Sequence, residues 1–260
     1  MKNKMFKRVI SVILAICCIV STLAFTNISA LAASNARNKA YSKVVTSLVN
    51  QYGKAKYDDT NGAIFGVNCV ELIDFNNDGK DEMLVTYTVL SKDPEECSVL
   101  YYRIYAFIDK KAKCVKKGIY GKGVEIGERG GVFLCYTNKG VLLVTEKSDY
   151  DFEQEKDYYY VTSYSFNGKK VKAKDKLSSL YDGKTDKSTR KINGKAASEK
   201  EFLNKKKTLL FDRFDAEKKG QIIYKKGKVK LILTDSYEKK NRSMIISRVN
   251  KNIANLKWYN

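Results

Sequence analysis

Histidine is absent from all 260 residues of the chain. Ser-His-Asp and Cys-His catalysis in their usual forms are therefore excluded, and so are zinc sites built on imidazole. No Walker A and no H-E-x-x-H sequence is present. The glycines at 118, 121, 123, 127, 130 and 131 punctuate short strands and turns, without the strand-to-helix context of a dinucleotide fingerprint. Arginine is sparse beside lysine, and readout of base edges favours arginine forks, so sequence-specific nucleic-acid binding is disfavoured. Proline occurs once, at Pro94, in a polar connection from Ser91 to Glu96. An enzyme built from this inventory would have to work with carboxylates, lysine, tyrosine or cysteine.

What is present begins with a leader. Lys2, Lys4, Lys7 and Arg8 precede an apolar run, Val9 to Phe25, and Ala30-Leu31-Ala32 has the A-x-A form of a cleavage site. This is the pattern of a secretory signal peptide over residues 1–32, with a mature chain from Ala33. No second apolar span follows, so no transmembrane segment is expected after cleavage. The expected location is extracellular or on the cell wall. The mature chain, 33–260, is long enough to bury a core in one domain or in two small ones, and is read as a single α+β domain.

The formal charge of +20 becomes +16 when the four basic leader residues are lost. Residues 33–166 hold 18 basic and 19 acidic side chains, whereas 167–260 hold 27 and 10. That asymmetry points to a polyanionic partner, such as anionic cell-wall or extracellular polymer. The basic runs that would meet it are Lys205-Lys206-Lys207, Lys225-Lys226, Lys228, Lys230 and Lys239-Lys240. Codon bias in an AT-rich genome would give the same lysine excess with no partner at all. Cys17 and Cys18 leave with the leader, and Cys69, Cys97, Cys114 and Cys135 remain. Outside the cell they allow two disulfides. Their placement in or beside apolar strands of a long chain favours buried, reduced thiols instead.

The stretch from Val70 to Val85, V-E-L-I-D-F-N-N-D-G-K-D-E-M-L-V, is the most informative. An apolar run ends at Asp74, and oxygen-bearing side chains follow at alternate positions, Asp74, Asn76 and Asp78. Gly79 supplies a sharp turn, Lys80 offers a backbone carbonyl and Glu82 a late carboxylate. Several oxygens in one compact loop suit a hard cation, Ca²⁺. The twelfth position from Asp74 is Val85, not the bidentate Glu of an EF-hand. The same residues also make a metal-free hairpin, because Asp-Gly between apolar runs is a turn signal in its own right. Asp74, Asp78, Asp81 and Glu82 would then crowd like charges into one turn.

The pattern D-x-N-x-D-G-x-x-E between apolar flanks resembles the calcium loop of FG-GAP/VCBS-type repeats, in which the loop joins two β-strands. Phe65-Gly66 upstream belongs to the same resemblance, about one residue out of the usual register. The likeness covers Phe65 to Val85 only, with Thr86-Tyr87-Thr88 in place of the G-A-P ending. No second copy is present, so the propeller of those families does not carry over. The resemblance implies one calcium-binding β-loop-β unit with Asp74, Asn76, Asp78 and Glu82 as side-chain ligands.

Around that unit the chain reads as α+β. Tyr41, Val44, Val45, Leu48, Val49 and Tyr52 recur at helical spacing before Gly53 and predict a helix over 35–52. Strands are expected over 64–75, 82–90 and 99–108. Hairpins are expected over 132–145 and 157–173, and a further strand pair at 221–224 and 228–233. Residues 182–190 read as a polar, flexible piece. Ser198 and Glu201 have capping-box spacing and open a helix to about 211, and Asp235 and Glu238 open a last one marked by Ile245, Val249, Ile253 and Leu256. The expected architecture is an antiparallel β-meander with an N-terminal helix and two C-terminal helices.

One acidic run remains. Asp149, Asp151, Glu153, Glu155 and Asp157 alternate with other residues, and on one regular strand all five would share a face and repel. A solvated loop is the reading. Two of these acids could serve a secreted carbohydrate-active hydrolase as acid and base. Tyr101, Tyr102, Tyr105, Tyr158, Tyr159, Tyr160 and Tyr164 fall on expected strands, where packing accounts for them. The function that fits the whole is a secreted, calcium-stabilised, non-catalytic bacterial surface protein that binds polyanions. A hydrolase acting through the 149–157 acids and a secreted protein-binding inhibitor are the alternatives.

Overall fold

The computed structural model describes residues 34–60, 63–92, 98–123, 130–211, 223–226, 228–232 and 239–257. The leader, Pro94, Cys97 and the Asp235/Glu238 box lie outside the described residues. The chain folds as α+β with antiparallel sheets, one N-terminal helix and two C-terminal helices, as expected. The strands form two sheets rather than one meander. Helix α1 spans 34–52. It leads into β1 (Lys56–Asp58), β2 (Ala63–Ile73), β3 (Glu82–Leu90), β4 (Ser98–Ile108) and β5 (Lys111–Gly123), which pair in that order as a five-stranded sheet.

The second sheet is built from β6 (Gly130–Thr137), β7 (Gly140–Asp151), β8 (Lys156–Phe166), β9 (Val171–Asp182), β10 (Lys187–Ile192) and β11 (Lys195–Ala196). After helix α2 (Glu199–Leu209) the hairpin of β12 (Ile223–Lys226) and β13 (Val229–Ile232) returns to the free side of β6, with Val229 opposite Cys135. The order is β11-β10-β9-β8-β7-β6-β13-β12. Helix α3 (Lys239–Lys257) ends the described chain. None of the described helices is long and apolar enough to cross a membrane.

Alternation along the strands divides the core. Leu84, Tyr102, Ile104 and Ala106 of the first sheet pack in one buried cluster with Val132, Leu134, Val141 and Leu143 of the second, so these faces meet. The intervening residues turn outward to the helices. Met83, Val85 and Tyr87 lie in a cluster with Tyr41, Val45 and Leu48 of α1 and Ile245 and Val249 of α3, and Phe133 meets Phe211 edge-on beyond the end of α2. A period of two on the strands and of about 3.6 on the helices produces this layering. The capping box at α2 is closed in both directions, with the Glu201 N–H donating to Ser198 Oγ and the Ser198 N–H to Glu201 Oε2.

The region 182–190, expected to be flexible, is a tight turn followed by β10. Asp182 Oδ1 accepts the backbone N–H groups of Lys184 and Thr185, at 3.1 and 3.3 Å, which folds the polar residues back onto the strand they follow.

Candidate functional site

The stretch from Asp74 to Glu82 does join two antiparallel strands, β2 and β3, with Ile73 opposite Glu82 in the ladder. Its conformation is set by side chain to backbone bonds. Asp74 accepts from the N–H groups of Asp78 at 3.1 Å and Gly79 at 2.9 Å, and Asp78 accepts from Lys80 N–H at 2.9 Å. Asn77 and Gly79 take the left-handed conformation, with φ of 57° and 79°, which asparagine and glycine tolerate best. Asn76 donates from Nδ2 to Asp78 Oδ2 at 3.1 Å. Its Oδ1 is buried and has no hydrogen-bond partner.

Glu82 closes the loop from below. It is buried, and its Oε2 accepts the Phe75 N–H at 3.1 Å. Burial pushes its carboxyl up to about 7; the Phe75 bond opposes the shift, and the negative charges of Asp78, Asp74 and Asp81 add to it. Asp74 and Asn76 are half-buried, and Asp78 and Lys80 are exposed. The four side chains named from the sequence are thus drawn around one turn. Each oxygen of an ionised carboxylate has more than one lone pair, so the bonds Asp74 makes to backbone leave it further acceptor capacity. No three His, Cys, Asp or Glu side chains among the described residues converge as a metal-holding group by themselves. Any cation here would need the amide oxygen of Asn76 and backbone carbonyl oxygen as well.

Residues far away in sequence fix this loop. Arg37 of α1 meets Asp81 at 3.3 Å, and Tyr41 donates to the Asp81 carbonyl oxygen. On the other side, Val141 N–H donates to the Phe75 carbonyl at 2.8 Å. Gly140 sits so close that a Cβ there would lie 2.2 Å from the same oxygen. The turn between β6 and β7 therefore buttresses the loop. Neither partner carries a local signal, because each contact depends on how α1 and the second sheet dock on the first.

The acidic run is a hairpin, not a loop. Asp149 and Asp151 lie at the end of β7, residues 152–155 turn, and Asp157 is the second residue of β8. Asp149 pairs with Tyr158 and Tyr150 with Asp157, which puts Asp157 on the opposite face from Asp149 and Asp151. Asp149 meets Lys147 at 3.4 Å and Asp151 accepts the Gln154 N–H at 2.9 Å. The turn relieves the repulsion that one straight strand would have imposed.

The basic runs of the C-terminal half are spread over four elements, α2, β12, β13 and α3. Lys205 is paired with the buried Asp175 at 2.8 Å, and the Lys206 ammonium lies 4.1 Å from the centre of the Tyr159 ring and 4.0 Å from Glu146. Both hold α2 on the second sheet. Lys207, Lys228 and Lys240 are exposed, and Lys230 on β13 is half-buried. Lys225 and Lys226 belong to β12 and Lys239 opens α3. Exposed lysines that the reading by runs passed over stand at 172, 174 and 176 on β9, where alternation with other residues hides them as a group. Cys69 and Cys135 are free and buried, and Cys114 is free and exposed on β5. No protein-family model, curated protein or solved structure matches the chain.

Proposed function

We propose that this chain is a secreted, calcium-stabilised, non-catalytic protein of the bacterial surface whose Lys-rich half, 167–260, holds anionic wall or matrix polymer. The observation that carries the calcium part is the unpartnered, buried Oδ1 of Asn76, lying in a turn with Asp74, Asp78 and Glu82. A buried oxygen with no donor is costly, and like charges in one turn are unfavourable; one hard cation relieves both. Asp74, Asn76, Asp78 and Glu82 would hold it, with the Lys80 carbonyl, and it would act by stabilising the fold.

The exposed lysines at 172, 174 and 176, with Lys207, Lys228 and Lys240, support the polyanion part. Lysine is a diffuse point charge suited to phosphodiester or carboxylate polymers in general. Binding of the purified protein to purified wall polymer should weaken steeply with added salt, because counterions condensed on the polymer are released on binding. Replacing the three β9 lysines by glutamine should reduce that salt slope. Binding that is the same at low and high salt would overturn the reading.

A further inference from the structure

Arg37, Arg190 and Arg248 each face a carboxylate, Asp81, Glu199 and Glu71 in turn. Arg103 faces none among the described residues. It lies at the middle of β4, opposite Val85 of β3 and Lys117 of β5, on the sheet face that turns away from the second sheet. The same face carries Tyr87, Tyr101 and Ile119 in one cross-strand row, and Tyr105 one step along β4. Tyr52, in the last turn of α1, completes the cluster. Its ring stacks on Tyr87 at 4.2 Å and 14°, and Tyr87 stacks on Tyr101 at 5.2 Å and 11°.

The guanidinium is held within this frame by neutral groups only. Nη1 donates to the Tyr105 hydroxyl at 3.3 Å and Nη2 to the Tyr52 hydroxyl at 3.2 Å. The Tyr87 ring lies 5.1 Å away and the Tyr52 ring 5.8 Å away. Nε is buried and has no hydrogen-bond partner. A guanidinium carries five N–H donors, and the Nε–H among them is left unspent. A half-buried charge that meets only phenols and ring faces is poorly compensated. Each phenol oxygen that accepts from Arg103 still has its own hydrogen to give. Lys117, exposed on the edge strand, adds a second positive charge on the same face. Ile119, 45% exposed, and the half-buried Tyr101 lie beside it as an apolar floor.

We propose that Arg103, Lys117 and the hydroxyls of Tyr52 and Tyr105 form a binding site for a single oxyanion, the phosphate or carboxylate group of a small ligand whose body rests on Tyr101 and Ile119. The guanidinium fork matches both kinds of oxyanion, and the phenol hydrogens complete the set of donors. The site belongs to the near-neutral half of the chain and is separate from the lysines of 167–260. It requires neither calcium nor the polymer.

The experiment is a titration of the full mature chain, followed by amide NMR shifts, with inorganic phosphate and with acetate in separate arms. Chloride holds the ionic strength constant. A saturable response at residues around 103 and 117 is expected, and the arm with the tighter constant identifies the oxyanion. Arg103→Gln should weaken binding by at least about tenfold, the loss typical of a hydrogen bond to a charged group. Arg103→Lys should retain part of it. Lys117→Glu, an exposed substitution that leaves the tyrosine frame intact, should also weaken binding. No saturable response in either arm, a response confined to 167–260, or unchanged affinity in Lys117→Glu would each overturn the proposal. The last reading stands even if Arg103→Gln fails to fold.

Discussion

Tyr41 on α1 donates its phenolic hydrogen to the main-chain oxygen of Asp81, 3.0 Å away, and so ties the first helix to the residue just before β3. The phenol is fully buried; burial, and after it the charge of Glu82, holds its pKa above the usual range. The helix thus packs on the sheet and also braces the turn between β2 and β3.

Removing that hydroxyl alone should be measurable. Tyr41→Phe keeps the ring and leaves the Asp81 carbonyl without its donor, at a cost of about 1 kcal/mol. For a chain of this size the melting midpoint should fall by about 2–4 °C. A midpoint equal to that of wild type would mean that water replaces the phenol without loss.

Gly140 and Gly194 make a matched pair. Both have positive φ, +119° and +81°, but a Cβ at Gly194 meets nothing within 4 Å, whereas at Gly140 it meets the Phe75 carbonyl. Gly194→Ala should cost about 1 kcal/mol from backbone strain. Gly140→Ala should cost roughly 3 kcal/mol, because overpacking against backbone adds to the strain. Urea unfolding of the two variants gives the comparison. Equal losses would mean that the β6–β7 turn does not press on the loop.

The thiols should differ in reactivity. Cys114 is exposed, whereas burial pushes the Cys69 thiol up to about 12 and also raises that of Cys135. In native protein treated with a thiol reagent, Cys114→Ser should remove one equivalent from the fast phase. Cys69→Ser and Cys135→Ser should leave the fast phase unchanged. The opposite pattern would contradict the burial of those two side chains.

The strength of local signals explains what the sequence made legible. The Ser198/Glu201 box, the helical spacing from Tyr41 to Tyr52 and the turn at 74–82 are each encoded over a short stretch, and the cap, the helix and a turn between two strands appear where they were expected. The split into two sheets is not local. It depends on β13 choosing β6 as its neighbour across a separation that no turn signal spans. The acids of 149–157 could not be assigned to faces until the turn at 152–155 was located, since a shift of one residue reverses every side chain. The ion pair of Lys205 with Asp175 was equally hidden, because it depends on where α2 settles on the second sheet. Arg103 escaped notice because an arginine on a tyrosine-rich strand is unremarkable until its partners are known.

Glu82 gives a pH dependence with a definite sign. Its folded pKa of about 7 lies above the ordinary 4.5. In metal-free protein the folded state therefore keeps a proton that the unfolded state has released between those values. The contribution to stability is full below about pH 4.5 and is lost as pH rises through about 7. With chelator present, wild type should lose stability across that window and Glu82→Gln should lose less. Parallel curves for the two proteins would contradict the burial of this carboxyl.

The most direct measurement is a thermal melt with calcium and with chelator for wild type, Asp78→Ala and Lys80→Ala. Extracellular modules hold Ca²⁺ with constants of about 0.1–1 mM. At ~1 mM free ion the tight end of that range adds about 1.4 kcal/mol to the folded state. The wild-type midpoint should then rise by roughly 2–5 °C. Asp78→Ala should lose most of that rise, because it deletes a charged ligand. Lys80→Ala should keep it, because only the carbonyl of that residue is used. A wild-type midpoint that does not move with calcium up to several millimolar would contradict the calcium site and leave a bare β-turn between β2 and β3.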